Sequence, residues 1–429
     1  MKKYLGRSLA LLPFSIALAG CGQEYPQSGA YNSALPAAIA GAASLPAPGT
    51  SSGKTSGPVA LLVPLTGDLA PAGQAIENAA KLAFPDNSSP ALDVRDTGGT
   101  PAGAASAAQA AIAAGDGIIL GPLTAAEAKA VAPVAQAANV NVLSFTNDST
   151  VAAPGLWALG ISPDQQVKRV VAAAAAAGRT QVAALLPDND FGHALATSLQ
   201  AETGALSEPS PNIAFYQNGF SSLNQTVRTL SDFADRGQGL EAQIKAARDL
   251  DTAAGREKAR QLQHQQIPPP SFNAMFIGAT ANDTLAEIAT LLPFYAVNQP
   301  QVQLMGPALW AGIAPQLGAN SVYRGALYAA PDLTAAAGFN QKYQSAYNAA
   351  PSAISYVGFD AAAIARLVAS QGGYTSAALT DPAGFAGTDG VVRLLPDGQV
   401  QRGLAVFQIA PGAPVITSPA PATLNSPNS

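Results

Sequence analysis

The sequence predicts an α/β protein with two lobes, each built on a mostly parallel sheet that is flanked by helices. The first observation is Val59–Val63, a continuous apolar run typical of a strand that is buried on both faces. The second is the alternation of such runs with helical patterns, which is typical of a parallel sheet. The third is length, because roughly 400 residues after the N-terminal segment exceed what one hydrophobic core usually holds.

The first half of the chain repeats a strand, a turn and a helix. In the helix predicted over 72–84, one face carries Ile76, Ala79, Ala80 and Ala83. Loops that follow the carboxyl ends of parallel strands are the usual ligand sites of such folds. The other predicted elements of this half are the strands 92–95, 117–120 and 141–143 and the helices 102–114 and 125–138.

The second half begins with a helix start at Ser162. Pro163 suits the first turn, and Gln165 is placed to close a capping box with Ser162. Residues 225–265 are charged and helical in pattern. The other predicted elements are the strands 181–186, 274–277 and 302–305 and the helix 282–292.

A hairpin is predicted near the C-terminus. Asp397 and Gly398 form a turn signal between the apolar runs 390–395 and 404–409. We expect these two runs to pair with each other.

The N-terminus has the pattern of a secretory signal. Lys2, Lys3 and Arg7 precede the apolar stretch Leu9–Leu18, which is too short to span a bilayer stably. We therefore expect residues 1–20 to be a signal peptide.

The residues at the expected cleavage site resemble the lipobox of bacterial lipoproteins. Leu18, Ala19 and Gly20 precede Cys21, the one cysteine in the sequence, which therefore has no disulfide partner. We expect Cys21 to carry the lipid; a plain signal peptide with a chance cysteine is the alternative. Gly22 follows where enterobacterial inner-membrane lipoproteins have Asp, which favours sorting to the outer membrane.

Two segments outside the alternating pattern lack a sustained period. Residues 22–56 are rich in Ala, Ser, Gly and Pro, and we expect 21–56 to be the lipidated cysteine and a flexible tether. The random-coil relation gives the tether a reach of roughly 30–35 Å. Residues 411–429 are predicted to be a disordered tail.

The charge balance narrows the set of partners. The formal net charge is −5, and it becomes −8 once the three cations of residues 1–20 are removed. An acidic protein has no broad attraction to nucleic acid or anionic lipid. We expect no nucleic-acid partner and membrane contact through the lipid anchor.

From residue 58 to residue 409 the chain resembles the type I periplasmic binding proteins of the leucine-binding kind. The resemblance starts in 59–67, with Gly73 and Ala83 following. No single motif is specific, but the order and spacing of the set are. The later motifs are Gly121-Pro122-Leu123, Ser144-Phe145-Thr146, Asp190-Phe191-Gly192, Met305-Gly306-Pro307, Phe339 with Tyr343 and Tyr347, Phe359-Asp360-Ala361 and Gly387-Thr388-Asp389-Gly390.

Within that family, 272–277, 291–295 and 304–306 look like the penicillin-binding protein activator branch, the LpoA type. Members of that branch are lipoproteins that contact a peptidoglycan synthase. The helical-repeat N-terminal domain of the enterobacterial members has no counterpart in this sequence.

The resemblance implies two lobes joined by three crossings, with a ligand cleft between them. One lobe is expected over 57–161 plus 331–381, and the other over 162–330 plus 382–410. The cleft residues implied by the resemblance are Leu65, Thr66, Leu123, Thr124, Ser144, Thr146, Asp148, Phe191, Thr280 and Trp310. For Trp310, as for Trp157, packing in a core is an equal alternative.

Four positions depart from what a free amino acid needs. Its carboxylate needs amides and hydroxyls, and its ammonium needs an acid. Where leucine-binding relatives have Ser and Thr for the carboxylate, this sequence has Ala125 and Asp148. Where the relatives have an acid for the ammonium, this sequence has Ala308. Where they have a tyrosine in the second lobe, this sequence has Phe191. Amino-acid binding is therefore expected to be mostly lost.

Other chemistry finds little support in the residues. The two histidines, His193 and His264, are expected at the surface, and Asp190 is expected to cap a helix rather than pair with Asp188. We find no metal-ligand spacing, phosphate loop or nucleophile elbow, and we expect no enzyme activity, cofactor or metal.

Three functions remain open. The first is a non-catalytic activator of a peptidoglycan synthase, with or without a small ligand in the cleft. The second is a solute receptor for an ABC importer of amino acids or another small ligand, and the third is a ligand-gated envelope sensor. The missing ammonium partner favours the first.

Overall fold

The computed structural model describes residues 53–85, 89–265 and 267–424. The predicted signal peptide, Cys21 and the predicted tether up to residue 52 lie outside these described residues, as do residues 425–429.

The first lobe is built on a sheet of five parallel strands. Its strands are β1 (Val59–Val63), β2 (Leu92–Asp96), β3 (Ile118–Leu120), β4 (Asn141–Ser144) and β5 (Leu156–Ala158), and its connecting helices are α1 (Ala70–Ala83), α2 (Pro101–Ala114) and α3 (Ala125–Ala137). The strand order is β2-β1-β3-β4-β5.

The strand β1 explains why helices cover both faces of this sheet. Val59, Leu61 and Val63 pack in one apolar core, while Ala60 and Leu62 pack in the core on the opposite face. Side chains of a strand alternate between faces, so a strand that is apolar throughout must be covered on both sides.

The second lobe begins after residue 161 and has the same layered plan. Its strands are β6 (Val182–Pro187), β7 (Asn212–Tyr216), β8 (Ala274–Ile277), β9 (Gln303–Gly306) and β10 (Leu327–Ala330), and its helices are α4 (Pro163–Ala176), α5 (Asp190–Ala205), α6 (Phe220–Leu230), α7 (Phe233–Asp249), α8 (Ala253–Gln263), α9 (Asn282–Phe294) and α10 (Ala314–Ala319).

After β10 the chain returns to the first lobe. It forms α11 (Ala337–Tyr347), α12 (Ala353–Ser370) and α13 (Ser376–Leu379), followed by the antiparallel strands β11 (Phe385–Gly387), β12 (Gly390–Leu394) and β13 (Val400–Arg402). By length and composition α12 could span a membrane, but 56% of it is buried and it packs against α1 as a core helix.

The last two strands complete the second sheet. They are β14 (Ala405–Gln408), antiparallel to β10, and β15 (Val415–Ser418), antiparallel to β14. The order of this seven-stranded sheet is β15-β14-β10-β9-β8-β6-β7, and the five strands from β6 to β10 are mutually parallel. The α/β prediction with parallel sheets is confirmed.

The predicted hairpin has a different partner strand. The turn at Asp397 and Gly398 joins β12 to β13, whereas the run 404–409 contains β14 and pairs in the other sheet. The sequence signal located the turn but not the partner, because pairing between distant strands depends on tertiary packing.

The three-stranded sheet of β11, β12 and β13 places the last lobe boundary later in the chain than expected. Phe385, Val392, Leu394 and Val400 pack in a core of the first lobe, although residues from 382 onward were expected in the second. The third crossing therefore follows Arg402 rather than residue 381.

The predicted disordered tail is wrong for the residues described. Residues 415–418 form β15, and Leu424 is buried with 3% exposed. The Pro- and Ala-rich composition misled the prediction, because extended segments with prolines also suit edge strands and ordered loops.

Two predicted helix caps also differ. Ser162 precedes α4 but makes no side-chain cap bond, and Gln165 donates instead to the Val400 carbonyl at 2.6 Å, so the capping box is absent. At α5 the capping side chain is Asn189, which accepts from the Gly192 amide at 2.9 Å, and Asp190 lies in the first turn.

Candidate functional site

The candidate site is the set of loops that follow the carboxyl ends of the parallel strands, here named the cleft edge. In the first lobe it comprises residues 64–69, 97–100, 121–124 and 145–148. In the second lobe it comprises residues 188–190, 278–281 and 307–309.

The loop after β1 is bonded to the end of β2. The Thr66 hydroxyl donates to Asp96 at 2.7 Å, and the amides of Leu65 and Gly98 donate to the same carboxylate at 2.8 Å each. These bonds, with the Thr66 hydroxyl the largest contributor, lower the pKa of Asp96. The Thr66 hydroxyl is exposed, but its proton is already committed within the chain.

The loop after β3 begins with a glycine that no other residue can replace easily. Gly121 has φ +96°, and a Cβ there would overlap the carbonyl of Leu62. This tight turn brings Leu123, which packs half-buried on the first-lobe core, and Thr124 to the start of α3.

A carboxylate of the chain itself occupies the start of α3. Glu127 is fully buried; its Oε2 accepts from the Thr124 amide at 2.9 Å and from the Thr124 hydroxyl at 2.8 Å, and its Oε1 accepts from Thr97 at 2.6 Å. A helix N-terminus is a natural place for an anion. Here Glu127 uses the hydroxyl and amide that would otherwise be free for a ligand carboxylate.

The polar groups of the loop after β4 also form hydrogen bonds within the chain. Ser144 donates to the Pro122 carbonyl at 2.9 Å, and the Thr146 hydroxyl accepts from the Asp148 amide at 3.1 Å. Asp148 in turn accepts from the amide and hydroxyl of Thr150 at 2.9 and 2.6 Å. Ser144 and Thr146 are buried, so neither is presented to solvent.

The second-lobe edge offers few polar side chains. Phe191 is half-buried against a core of that lobe, and Thr280 is exposed. At Ala308 the main-chain amide donates to the buried side chain of Gln166 at 2.7 Å. Position 308, where the sequence resemblance implied an acid for the ammonium, is occupied by this alanine.

For Trp310, a candidate cleft residue, the sequence left the cleft and a core as equal alternatives, and the structure places it in a core. It is fully buried; its indole N–H donates to the Ala279 carbonyl at 2.9 Å, and its ring meets Tyr323 edge-to-face at 5.7 Å. A side chain at Gly306 would overlap the indole, so Trp310 is a core residue of the second lobe. Trp157 is likewise fully buried and donates to the Leu395 carbonyl at 2.7 Å.

The histidines lie at the surface. His193 is 3.0 Å from the Asp188 carboxylate and lies over the ring of Phe215, with centroids 4.5 Å apart, and His264 is exposed. Among the described residues no group of three or more His, Cys, Asp or Glu side chains is arranged to hold a metal ion.

A buried charged cluster lies at the third crossing, and we name its residues Asp360, Asp389 and Arg402 the hinge cluster. Arg402 and Asp389 form a buried ion pair, and Arg402 also donates to the Leu159 carbonyl at 2.8 Å. Thr388 donates its amide and hydroxyl to Asp360 Oδ1 at 2.8 Å each.

Asp360 carries a strongly perturbed carboxyl group. Burial raises its pKa well above 3.8, and the neighbouring Asp389 raises it further, while Thr388 and Arg402 act in the opposite direction. The motifs 359–361 and 387–390 contain both acids, but sequence reasoning used them as markers of resemblance. Charged residues inside apolar runs were the signal that could have identified the cluster.

Comparisons with known proteins agree with this fold. The sequence model of the periplasmic binding protein family matches residues 58–414. No curated protein matches the chain at a significant level.

Two solved structures represent the two kinds of relative. The C-domain of LpoA (YraM) from Haemophilus influenzae, a regulator of PBP1A, has 18% identity and a TM-score of 0.59, covering 84% of this chain and 99% of that one. A periplasmic ligand-binding protein of a branched-chain amino acid ABC transporter from Burkholderia xenovorans has 14% identity and a TM-score of 0.60, covering 87% and 97%.

A third structure, full-length LpoA from Haemophilus influenzae, has 18% identity and a TM-score of 0.61. The match covers 86% of this chain but 60% of that protein. At these identities the likeness shows the fold alone.

Proposed function

This chain belongs to the periplasmic binding protein family, and we propose that within it the chain is a non-enzymatic regulator that activates a peptidoglycan synthase by contact. The observation that carries the proposal is the internal use of the cleft edge. Thr66, Thr124 and Thr146 bond to groups of the chain itself, and Glu127 fills the helix start that a ligand carboxylate needs. A cleft edge whose Thr66 and Thr124 hydroxyl protons are already donated within the chain is poorly suited to capturing a free amino acid.

Regulation by contact needs only a difference in affinity. A partner is activated when the regulator binds its active conformation better than its resting one. A tenfold rise in activity needs about 1.4 kcal/mol of such preference. The likeness to the LpoA C-domain, a regulator of PBP1A, supports a peptidoglycan synthase as the partner.

Lipid anchoring belongs to the same proposal. Cys21 lies outside the described residues and would hold the domain to a membrane, with the outer membrane favoured by Gly22. A tether limits the search volume and raises the local concentration of the domain near its partner. In cells fed a fatty-acid analogue, Cys21→Ala should lose the label and leave the membrane fraction; label retained by the variant would contradict the anchor.

The activator proposal is tested with purified components. The chain from residue 22 is added to each bifunctional synthase of the same organism, and glycan polymerisation and transpeptidation are measured separately. We expect at least one synthase to be stimulated severalfold. A leucine-binding protein of the same fold serves as the control for non-specific effects. If no synthase responds more than it does to this control, the proposal is wrong.

A solute receptor for an ABC importer is the second candidate. The observation in its favour is the match along 97% of the Burkholderia ligand-binding protein, since this chain retains both lobes and the crossings between them. The two candidates differ in ligand affinity, because a receptor must bind its solute on its own and a contact regulator need not.

A further inference from the structure

The C-terminal segment 415–424 connects the two lobes beside the third crossing. It starts as β15 on the second-lobe sheet and ends at Leu424 against the first-lobe strand β12. Its two ends therefore have anchors in different lobes.

The anchor on the second lobe is extensive. β15 pairs with β14 in antiparallel register, with Gln408 opposite Val415. Arg169 on α4 donates to Ser418 Oγ at 2.7 Å and to the Pro419 carbonyl at 3.0 Å. The same guanidinium donates to Leu404 at 2.8 Å, which ties the segment to the start of β14.

The anchor on the first lobe is a buried leucine at the end of the described chain. Leu424 is 3% exposed, and its carbonyl accepts from Arg393 Nη1 at 3.2 Å. Arg393 lies in β12, whose residues Val392 and Leu394 pack in a first-lobe core. Leu424 is thus buried, and a hydrogen bond fixes its carbonyl to that lobe.

The segment between the two anchors is short and stiff. Five residues lead from Pro419 to Leu424, a span of at most about 17 Å. Pro419 and Pro421 fix two of the backbone torsions, and proline-containing segments behave as semi-rigid spacers. Pro421 also lies against the third crossing, where a Cβ at Gly403 would be 3.1 Å from its carbonyl oxygen.

We propose that residues 415–424 form an interlobe strap that holds the two lobes in one relative orientation. A hinge rotation changes the distance between an anchor on α4 and an anchor on β12 unless the axis passes through both. The five residues cannot span more than about 17 Å, so an opening that separates the anchors beyond this span requires Leu424 to leave its site. The strap restrains the lobes through its two anchors only. The proposal therefore does not depend on whether the partner is a synthase or a transporter.

The strap is tested by measuring an interlobe distance with and without its first-lobe anchor. Cys21→Ser removes the one native cysteine, and Ala126→Cys on α3 with Gln200→Cys on α5 place one spin label at an exposed site in each lobe. Double electron–electron resonance then measures the distance between the labels in a chain that ends at 424 and in one that ends at 419. The shorter chain keeps β15 and the Arg169 contacts.

We expect one narrow distance distribution for the chain that ends at 424. For the chain that ends at 419 we expect the distribution to shift or broaden by about 2 Å or more, the scale of a domain rearrangement. Leu424→Ala in the full chain removes only the buried side chain at the end of the strap and should give a change in the same direction. Unchanged distributions in both altered chains would overturn the strap.

Discussion

The cleft edge and the hinge cluster use their polar groups in opposite ways. At the cleft edge, Thr124 and Thr146 bond to residues two or three positions further along the chain, and Thr66 bonds to Asp96 at the end of the neighbouring strand. In the hinge cluster, Asp360 of α12 and Arg402 of β13 meet the loop that carries Asp389. The first kind of bond shapes a loop, whereas the second joins three elements of the fold.

This difference indicates where a substitution affects the packing of several elements and where it affects one loop. Buried charges are costly unless they are paired, so the hinge cluster constrains how its three elements pack. The loops of the cleft edge hold their conformation by hydrogen bonds within a loop or to the end of a neighbouring strand, and a single substitution alters one of them. The cleft edge is thus a set of loops that bond to one another and to neighbouring strand ends, while the buried Arg402–Asp389 ion pair lies at a crossing between lobes.

The largest effect is expected from Arg402→Leu. The substitution leaves Asp389 buried without its ion-pair partner, and breaking a buried pair in this way costs about 3–5 kcal/mol of unfolding free energy. Urea denaturation measures the loss. Arg256→Leu is the matched control, because Arg256 is 62% exposed and pairs with Asp251 at the surface, where a pair contributes at most about 1 kcal/mol. Equal losses of unfolding free energy in the two variants would mean that the buried ion pair of the hinge cluster contributes no more to stability than a surface ion pair.

The next effect concerns the pH dependence that Asp360 imposes. Because its folded pKa is raised above the unfolded value of 3.8, the folded state holds the proton more tightly than the unfolded chain. Unfolding free energy should therefore fall as pH rises from about 4 through the raised pKa, and then level off. Asp360→Asn mimics the protonated carboxyl, since its oxygen can accept from Thr388 and its amide can donate to Asp389.

We expect Asp360→Asn to be more stable than the native chain by about 1–3 kcal/mol at pH 8, the usual cost of an unsatisfied buried polar group. The gap should close towards pH 4. Thermal or urea unfolding across this range measures both curves. A native curve that runs parallel to that of the variant would show that Asp360 does not titrate in the folded protein above its ordinary range.

A smaller effect is expected at the cleft edge. Thr124→Ala removes the cap of α3 and should cost about 1 kcal/mol, the typical loss for a capping threonine. Thr252→Ala is the control, because Thr252 caps α8 away from the cleft edge, with its hydroxyl accepting from the Gly255 amide at 2.9 Å. Similar losses and unchanged synthase stimulation in both variants indicate a structural role. A loss of stimulation confined to Thr124→Ala would show that the cleft edge contacts the partner.

The alternation of strands and helices was predictable from sequence because it follows from local patterns. Val59–Val63 is apolar at every position, and the structure buries all five residues between two layers of helices. Strand 274–277 was placed correctly for the same reason.

Other features escaped prediction because they depend on contacts between distant parts of the chain. β14 pairs with β10, some 80 positions earlier in the chain, so its partner could not be identified from the neighbouring turn. Leu424 is buried and its carbonyl accepts from Arg393 of the first lobe, which composition alone does not reveal. Trp310 lies in a core because Gly306 makes room for its indole, a fit that only the folded structure shows.

The smallest expected effect is the heat of mixing with leucine, isoleucine or valine. The sequence resemblance implies that Ala125, Asp148 and Ala308 replace the hydroxyls that bind a ligand carboxylate and the acid that binds its ammonium, and Glu127 already fills the start of α3. We therefore expect dissociation constants weaker than about 1 mM, equivalent to less than about 4 kcal/mol of binding free energy. Calorimetry on the chain from residue 22 to residue 424 measures this, with a leucine-binding protein titrated beside it as a positive control. Binding in the micromolar range would mean that the cleft edge rearranges to free donors for the carboxylate and to supply an acceptor for the ammonium, because a buried ammonium without a partner is too costly to tolerate. The solute-receptor function would then replace contact regulation as the better explanation of the fold.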